Sequence, residues 1–183
     1  MVRISELEVA ILGLLYEHHH YAYRLEEIIE KRAMLNWADL EYSSMESVLE
    51  KLEEKNLVEN EIRKIEGQPS RNIYSITDEG KFVFREKIKE LMSKNSKVVY
   101  PFDLAIANMN FLSYKEIIQS LKLYLKSLEE RIEFIDNSIK IQEENNVPYN
   151  FIAIFSRSSA LLKAEKRWIE EFIEEIKEME IYE

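Results

Sequence analysis

From Ile118 to Ile139 the apolar residues fall at alternating steps of three and four: Ile118, Leu121, Leu125, Leu128, Ile132, Ile135 and Ile139. That rhythm is a heptad seam, and it fits one local structure, a long α-helix that lays a single apolar edge against another helix. Ser113-Tyr114-Lys115-Glu116 has capping-box spacing ahead of it, and Asn145-Asn146-Val147-Pro148 breaks it. A helix is therefore expected from Tyr114 to about Glu144, ~45 Å long at ~1.5 Å per residue. A second long helix follows, with Phe155, Leu162, Ile169, Phe172, Ile176 and Met179 on a matching seam. Ile117, Tyr124, Leu161 and Trp168 widen the two stripes beyond what one hairpin partner covers, which predicts a homodimer. Its expected interface is Ile118, Leu121, Leu125, Leu128, Ile132, Ile135, Leu162, Ile169, Phe172 and Ile176. The other reading is a monomer whose hairpin folds back on the first half.

The first half reads differently. Ser5-Glu6-Leu7-Glu8 is a capping box opening a helix with Leu7, Ile11, Leu14 and Leu15 on one face. A second amphipathic segment, Ala22 to Met34, turns Leu25, Ile28 and Ile29 inward. Ser43-Ser44-Met45-Glu46 repeats the capping-box spacing before a third helix whose core face is Met45, Val48, Leu49 and Leu52; it ends at Asn56, where a left-handed residue is favoured. Next come two strand segments, Val58 to Ile65 and Asn72 to Ile76, around a turn holding Gly67 and Pro69. Thr77-Asp78-Glu79 starts a fourth helix. Three helices and a hairpin make a winged helix-turn-helix. The expected fold is thus mainly α with a small β-hairpin: a winged helix-turn-helix over residues 1–95, then a helical hairpin dimerisation domain over 96–183.

Charge limits how such a chain can meet nucleic acid. The net charge is −10, with 14 basic against 19 acidic residues in 1–95 and 11 against 16 in 96–183. A polyanion is repelled at long range, so binding to one must come from a local basic surface. The hairpin supplies it, because Arg63, Lys64 and Arg71 cluster about a tip holding Gln68 and Ser70, suited to the sugar-phosphate edge or the minor groove. On the third helix Ser44, Ser47, Lys51 and Lys55 form one band that could reach phosphates and base edges in a major groove. Tyr23 and Ser43, at the entries to the second and third helices, complete the candidate DNA-contact set. Against these stand Glu46, Glu50, Glu53 and Glu54 on the outer side of the third helix. They give weight to a second reading, a winged-helix protein-interaction module without DNA binding.

Other chemistry finds little support. The chain has no cysteine, which leaves no thiolate metal site and points to a reducing, cytoplasmic setting. There is no Gly-rich phosphate loop, GxSxG or HExxH, so no enzyme, cofactor or metal site is expected. His18, His19 and His20 are adjacent and converge poorly on one ion; they are read as loop residues that could touch phosphate when protonated. The longest apolar run, Val9 to Leu15, is interrupted by Gly13 and falls short of a membrane span, and MVRISELE has an acidic residue where a secretory leader is apolar. Methionines and aromatics such as Met34, Met45, Met92, Phe82 and Phe111 are read as core. Tyr100, Phe102 and Trp168 are candidates for a pocket between the two halves that could take a small aromatic effector.

SELEVAILGLL, YAYRLEEII, SSMESVLEKLEEKNLVE and GQPSRNIYSITDEG, in that order and spacing, resemble the PadR family of winged-helix transcription regulators. The helical second half is similar to the dimerisation domain of its longer members. The resemblance implies a cytoplasmic homodimer bound to double-stranded operator DNA, usually a repressor, often released by a small molecule. The chain departs from the family where Glu46 replaces an aromatic residue and Glu50 a basic one; Ala22 and Asn56 replace glycines, and Asn72 replaces a lysine.

Overall fold

The structure, a computed structural model, describes residues 2–32, 34–38, 40, 44–63, 71–95 and 97–182. The chain divides into two compact units, Met1–Lys97 and Val98–Glu183.

In the first unit, α1 (Glu6–Glu17) opens on the expected capping box: Ser5 Oγ accepts from Glu8 N, and Glu8 Oε2 accepts from Ser5 N at 2.7 Å. Sequence spacing gave α1 one apolar face, but Leu12 is buried as fully as Ile11, so this helix is enclosed on several sides. It packs against β3 and α4 at the centre of the core. Next come β1 (His20–Tyr21), α2 (Ala22–Lys31) and a 3-10 turn at Met34–Asn36. Helix α3 (Met45–Glu54) buries Met45, Val48, Leu49 and Leu52 as expected. Its N-cap is Ser44, which accepts from Ser47 N, in place of the box anticipated from Ser43 and Glu46. At its end Asn56 takes φ +57°, Asn56 N donates to Glu53 O, and Leu57 N donates to Leu52 O. That is a Schellman closure, the left-handed exit the asparagine favours.

Strands β2 (Val58–Arg63) and β3 (Arg71–Ile76) form the antiparallel wing. The sequence reading held a strand pair; the sheet has three strands, in order β1-β3-β2, because His20 and Tyr21 pair with Tyr74 and Ile73. Val58, Tyr74 and Ile76 turn into the core. Helix α4 (Asp78–Ser93) is capped by Thr77, whose hydroxyl accepts from Gly80 N and donates to Asn56 O. Gly80 is required where it stands, since a Cβ there would lie 2.0 Å from the Leu57 carbonyl oxygen.

In the second unit, the short α5 (Pro101–Ala107) precedes α6 (Tyr114–Glu144) and α7 (Tyr149–Tyr182). The Ser113–Glu116 capping box forms, and Asn146, at φ +53°, turns the chain between the long helices. Ile117, Leu121, Leu128, Ile169, Ile173 and Ile176 build the seam, each worth roughly 1.5–3 kcal/mol when buried. Polar rungs fix its register: Tyr124 donates to Glu165 at 2.5 Å, Lys166 pairs with Glu129, and Asp136 takes both the Ser159 hydroxyl and Lys163. Burial and the Glu165 hydrogen bond push the Tyr124 phenol up to about 12.

This packing corrects part of the expected interface. Leu121, Leu128, Ile135, Ile169 and Ile176 are buried within one chain, since each long helix uses its best edge on the other. Ile118, Leu125, Ile132, Leu162 and Phe172 are partly covered. Exposed apolar residues lie beside the seam, among them Leu123, Phe134, Leu161 and Trp168. Met34 and Met45 are core as read, whereas Met92, Phe82 and Phe111 are exposed.

Candidate nucleic-acid interface

In the β2–β3 register Arg63 lies directly opposite Arg71. Residues facing each other across an antiparallel pair project on the same side of the sheet, so two guanidinium groups share one exposed surface. Among the described residues neither arginine enters an ion pair, in a chain with 35 carboxylate side chains to choose from. Like charges directly opposite destabilise a sheet in isolation and become favourable when an anion lies over both. The Arg71 guanidinium carbon sits 5.3 Å from the centre of the Tyr23 ring, within cation–π range. Tyr23 in turn stacks on Tyr21, with ring centres 5.7 Å apart and planes 13° from parallel.

On α3, Ser44 and Lys51 are exposed and Ser47 half-buried, on one side of the helix. Ser44 caps the first turn with its lone pair, leaving its O–H free to donate. Lys55 departs from this band. Its ammonium lies 2.5 Å from Glu8 Oε1 and 3.1 Å from the Arg3 carbonyl oxygen, turned toward α1. A helical wheel misses this because it takes no account of Glu8, 47 residues away on α1. Ser43, Lys64, Gln68 and Ser70 lie outside the described residues.

The outer side of α3 is acidic as expected. Glu46, Glu50 and Glu54 are exposed, and among the described residues no ion pair involves them; Glu53 accepts from the Asn60 amide at 2.6 Å, tying α3 to the wing. Of the three histidines, His20 belongs to β1, and burial followed by the charges of His18 and His19 holds its pKa below the ordinary value. His20 is therefore less readily protonated than a free imidazole. Glu17 is drawn below the carboxylate range by its hydrogen bonds from Arg32.

In the second unit a cavity of about 280 Å³ lies among α5, α6 and α7, bounded by Phe102, Met109, Tyr124 and Phe172. Phe102 and Tyr124 stack there at 4.5 Å. Of the three aromatics proposed from sequence, Phe102 lines it, Trp168 stacks behind Phe172 at 4.8 Å, and Tyr100 is not part of its wall.

A three-helix core with a two-stranded wing bearing exposed cations defines a winged-helix domain, followed here by a long helical hairpin. Residues 11–86, within the first unit, match the model of the transcriptional regulator PadR-like family. The whole fold is similar to that of Bacillus subtilis PadR in complex with operator DNA, at 16% identity over 94% of this chain and 99% of that one, TM-score 0.73. It is likewise similar to the same protein in complex with p-coumaric acid (18% identity, 93% and 98% covered, TM-score 0.72). The PadR-like transcriptional regulator BC1756 from Bacillus cereus shares it too (18% identity, 94% and 98% covered, TM-score 0.60). No curated protein matches the chain. No helix among the described residues is long and apolar enough to cross a membrane.

Proposed function

We propose that this chain is a sequence-specific DNA-binding transcription regulator, a repressor that acts as a homodimer on a two-fold operator. The observation that carries this reading is the Arg63–Arg71 pair: two exposed arginines set opposite each other, without ion-pair partners among the described residues, in a chain of net charge −10. The repulsion within such a pair is relieved when a polyanion lies over both guanidinium groups. Ser44, Ser47 and Lys51 would face the major groove while the wing follows the adjoining backbone. Lys55, held by Glu8, is left out of this set. That a protein of this fold forms a complex with operator DNA supports duplex DNA as the partner.

Dimerisation draws support from the apolar residues left uncovered on the long helices. Phe134 is 69% and Leu123 65% exposed on α6, and Leu161 and Trp168 stand one heptad apart on α7. A second copy would cover them. The cavity beside Phe102 suits a small-molecule effector, and the binding of p-coumaric acid by a protein of the same fold supports such control. Among the described residues the side chains lining this cavity are uncharged and mostly apolar, which suits the ring of an aromatic effector.

The second reading, a protein-interaction module, is favoured by one observation, the exposed row of Glu46, Glu50 and Glu54 on α3. Anisotropy titration on a duplex from the chain's own upstream region, repeated over a range of salt, separates the two. A DNA reader loses affinity steeply as salt rises, and Lys51→Ala, which removes one phosphate contact from each protomer of the dimer, makes the slope shallower by about 1.8. Absence of saturable binding by an intact dimer favours the interaction module.

A further inference from the structure

Tyr21 occupies the N-cap of α2, a position where serine, threonine, aspartate or asparagine would accept a hydrogen bond from the first turn, and its side chain makes no such bond. Its ring lies instead on Tyr23, nearly parallel to it, and Tyr23 carries the guanidinium of Arg71. The β1–β3 pairing explains how the three meet: Tyr21 is opposite Ile73, two residues along β3 from Arg71 and on the same side of the sheet. At that point Arg71 also faces Arg63, whose charge would drive it away.

An arginine on a wing normally samples many rotamers, and ordering it against DNA costs entropy. A guanidinium already resting on an aromatic face is largely ordered before DNA arrives. The ring beneath it is dependable only if it is itself held, and a half-exposed tyrosine in the first turn of a helix is held by little except a neighbouring ring. We infer that Tyr21 is a positioning residue for DNA binding: it fixes Tyr23, Tyr23 fixes Arg71, and the Tyr21–Tyr23–Arg71 ladder presents the guanidinium to a backbone phosphate despite Arg63. This rests on the DNA-binding reading above.

The test uses the full chain, the same upstream duplex, and the variants Tyr21→Ala, Tyr21→Leu, Tyr21→Phe, Tyr23→Phe and Arg71→Ala, each first checked for an unchanged melting temperature. Tyr21→Leu keeps apolar bulk at the site should the alanine variant fold poorly. The ladder predicts that Tyr21→Ala and Tyr21→Leu lose affinity by about five- to thirtyfold at every salt concentration, the worth of one exposed cation–π contact in each protomer of the dimer, with the salt slope unchanged. Tyr21→Phe and Tyr23→Phe should bind like the wild type, because the rings and not the hydroxyls do the holding. Arg71→Ala should make the slope shallower by about 1.8, as loss of one phosphate contact from each protomer does. In the DNA-free protein the Arg71 side-chain protons should be shifted by ring current in wild type and Tyr21→Phe, and relax toward unstructured values in Tyr21→Leu. Wild-type affinity in Tyr21→Leu, or unmoved Arg71 resonances, overturns the positioning role while leaving DNA binding intact. A loss in Tyr23→Phe equal to that in Arg71→Ala overturns it in favour of a direct phosphate contact by the Tyr23 hydroxyl. Failure of the wild type to bind any duplex removes the DNA reading and the ladder's role with it.

Discussion

Lys55 Nζ lies 2.5 Å from Glu8 Oε1, so the end of the third helix is tied to the start of the first. Glu8 is 4% exposed and also closes the α1 capping box, which makes Lys55 the one cation its carboxylate pairs with among the described residues. Removing one partner of such a pair leaves the other desolvated and unmatched. Lys55→Ala should therefore lower stability by about 1–2 kcal/mol in urea denaturation. Its effect on the salt slope of DNA binding should be nil. Lys51→Ala, at an exposed site, should do the reverse, leaving stability within about 0.5 kcal/mol and changing the slope.

The Arg63–Arg71 opposition gives a prediction of opposite sign for folding and binding. Arg63→Thr removes a like-charge cross-strand pair, and the free protein should gain about 0.2–1 kcal/mol or stay level. Affinity for DNA should fall. Thermal melting with and without duplex reads both effects, and a destabilised free protein would mean Arg63 has an intramolecular role the register does not reveal.

Gly80 packs the first turn of α4 against the Leu57 carbonyl. Gly80→Ala cannot be accommodated by a side-chain adjustment, because the obstructing atom is backbone. A loss of about 3 kcal/mol with an unchanged denaturant m-value is expected.

The rungs of the long hairpin predict where acid loosens it. Lys163, and next the Ser159 hydroxyl, hold the Asp136 carboxyl below the usual carboxylate range. A group whose folded pKa is depressed stabilises the fold above its unfolded pKa, about 3.9, and loses that contribution as pH falls through the lower folded value. Asp136→Asn should thus be less stable than wild type above about pH 4, with the gap closing below it. Melting curves followed by circular dichroism from pH 2 to 7 show this directly.

How much of this was legible in the sequence depends on the range of the interaction. The seam from Ile118 to Ile139 announced α6 because a period repeated over three heptads is a strong signal. Which surface it would cover was not announced, since Leu121 and Leu128 are equally apolar whether they face their own α7 or a second copy. Asn56 marked the end of α3 through a local preference for left-handed backbone, and φ +57° is what it adopts. The strand at His20 and Tyr21 is too short for alternation to register, and the seven-residue α5 too short for helical periodicity. Lys55 was misread because its partner Glu8 lies 47 residues away. The cations of the wing were visible as a cluster, but that Arg63 faces Arg71 follows from strand register, which composition does not carry.

Selection of bound sequences from a pool of randomised duplexes by the purified dimer tests the central claim most directly. The account predicts enrichment of a two-fold symmetric motif with half-sites about one helical turn, ~34 Å, apart, lost when Arg63 and Arg71 are both replaced by alanine. A folded, dimeric protein that enriches no motif, or one that enriches the same motif without the two arginines, would contradict it.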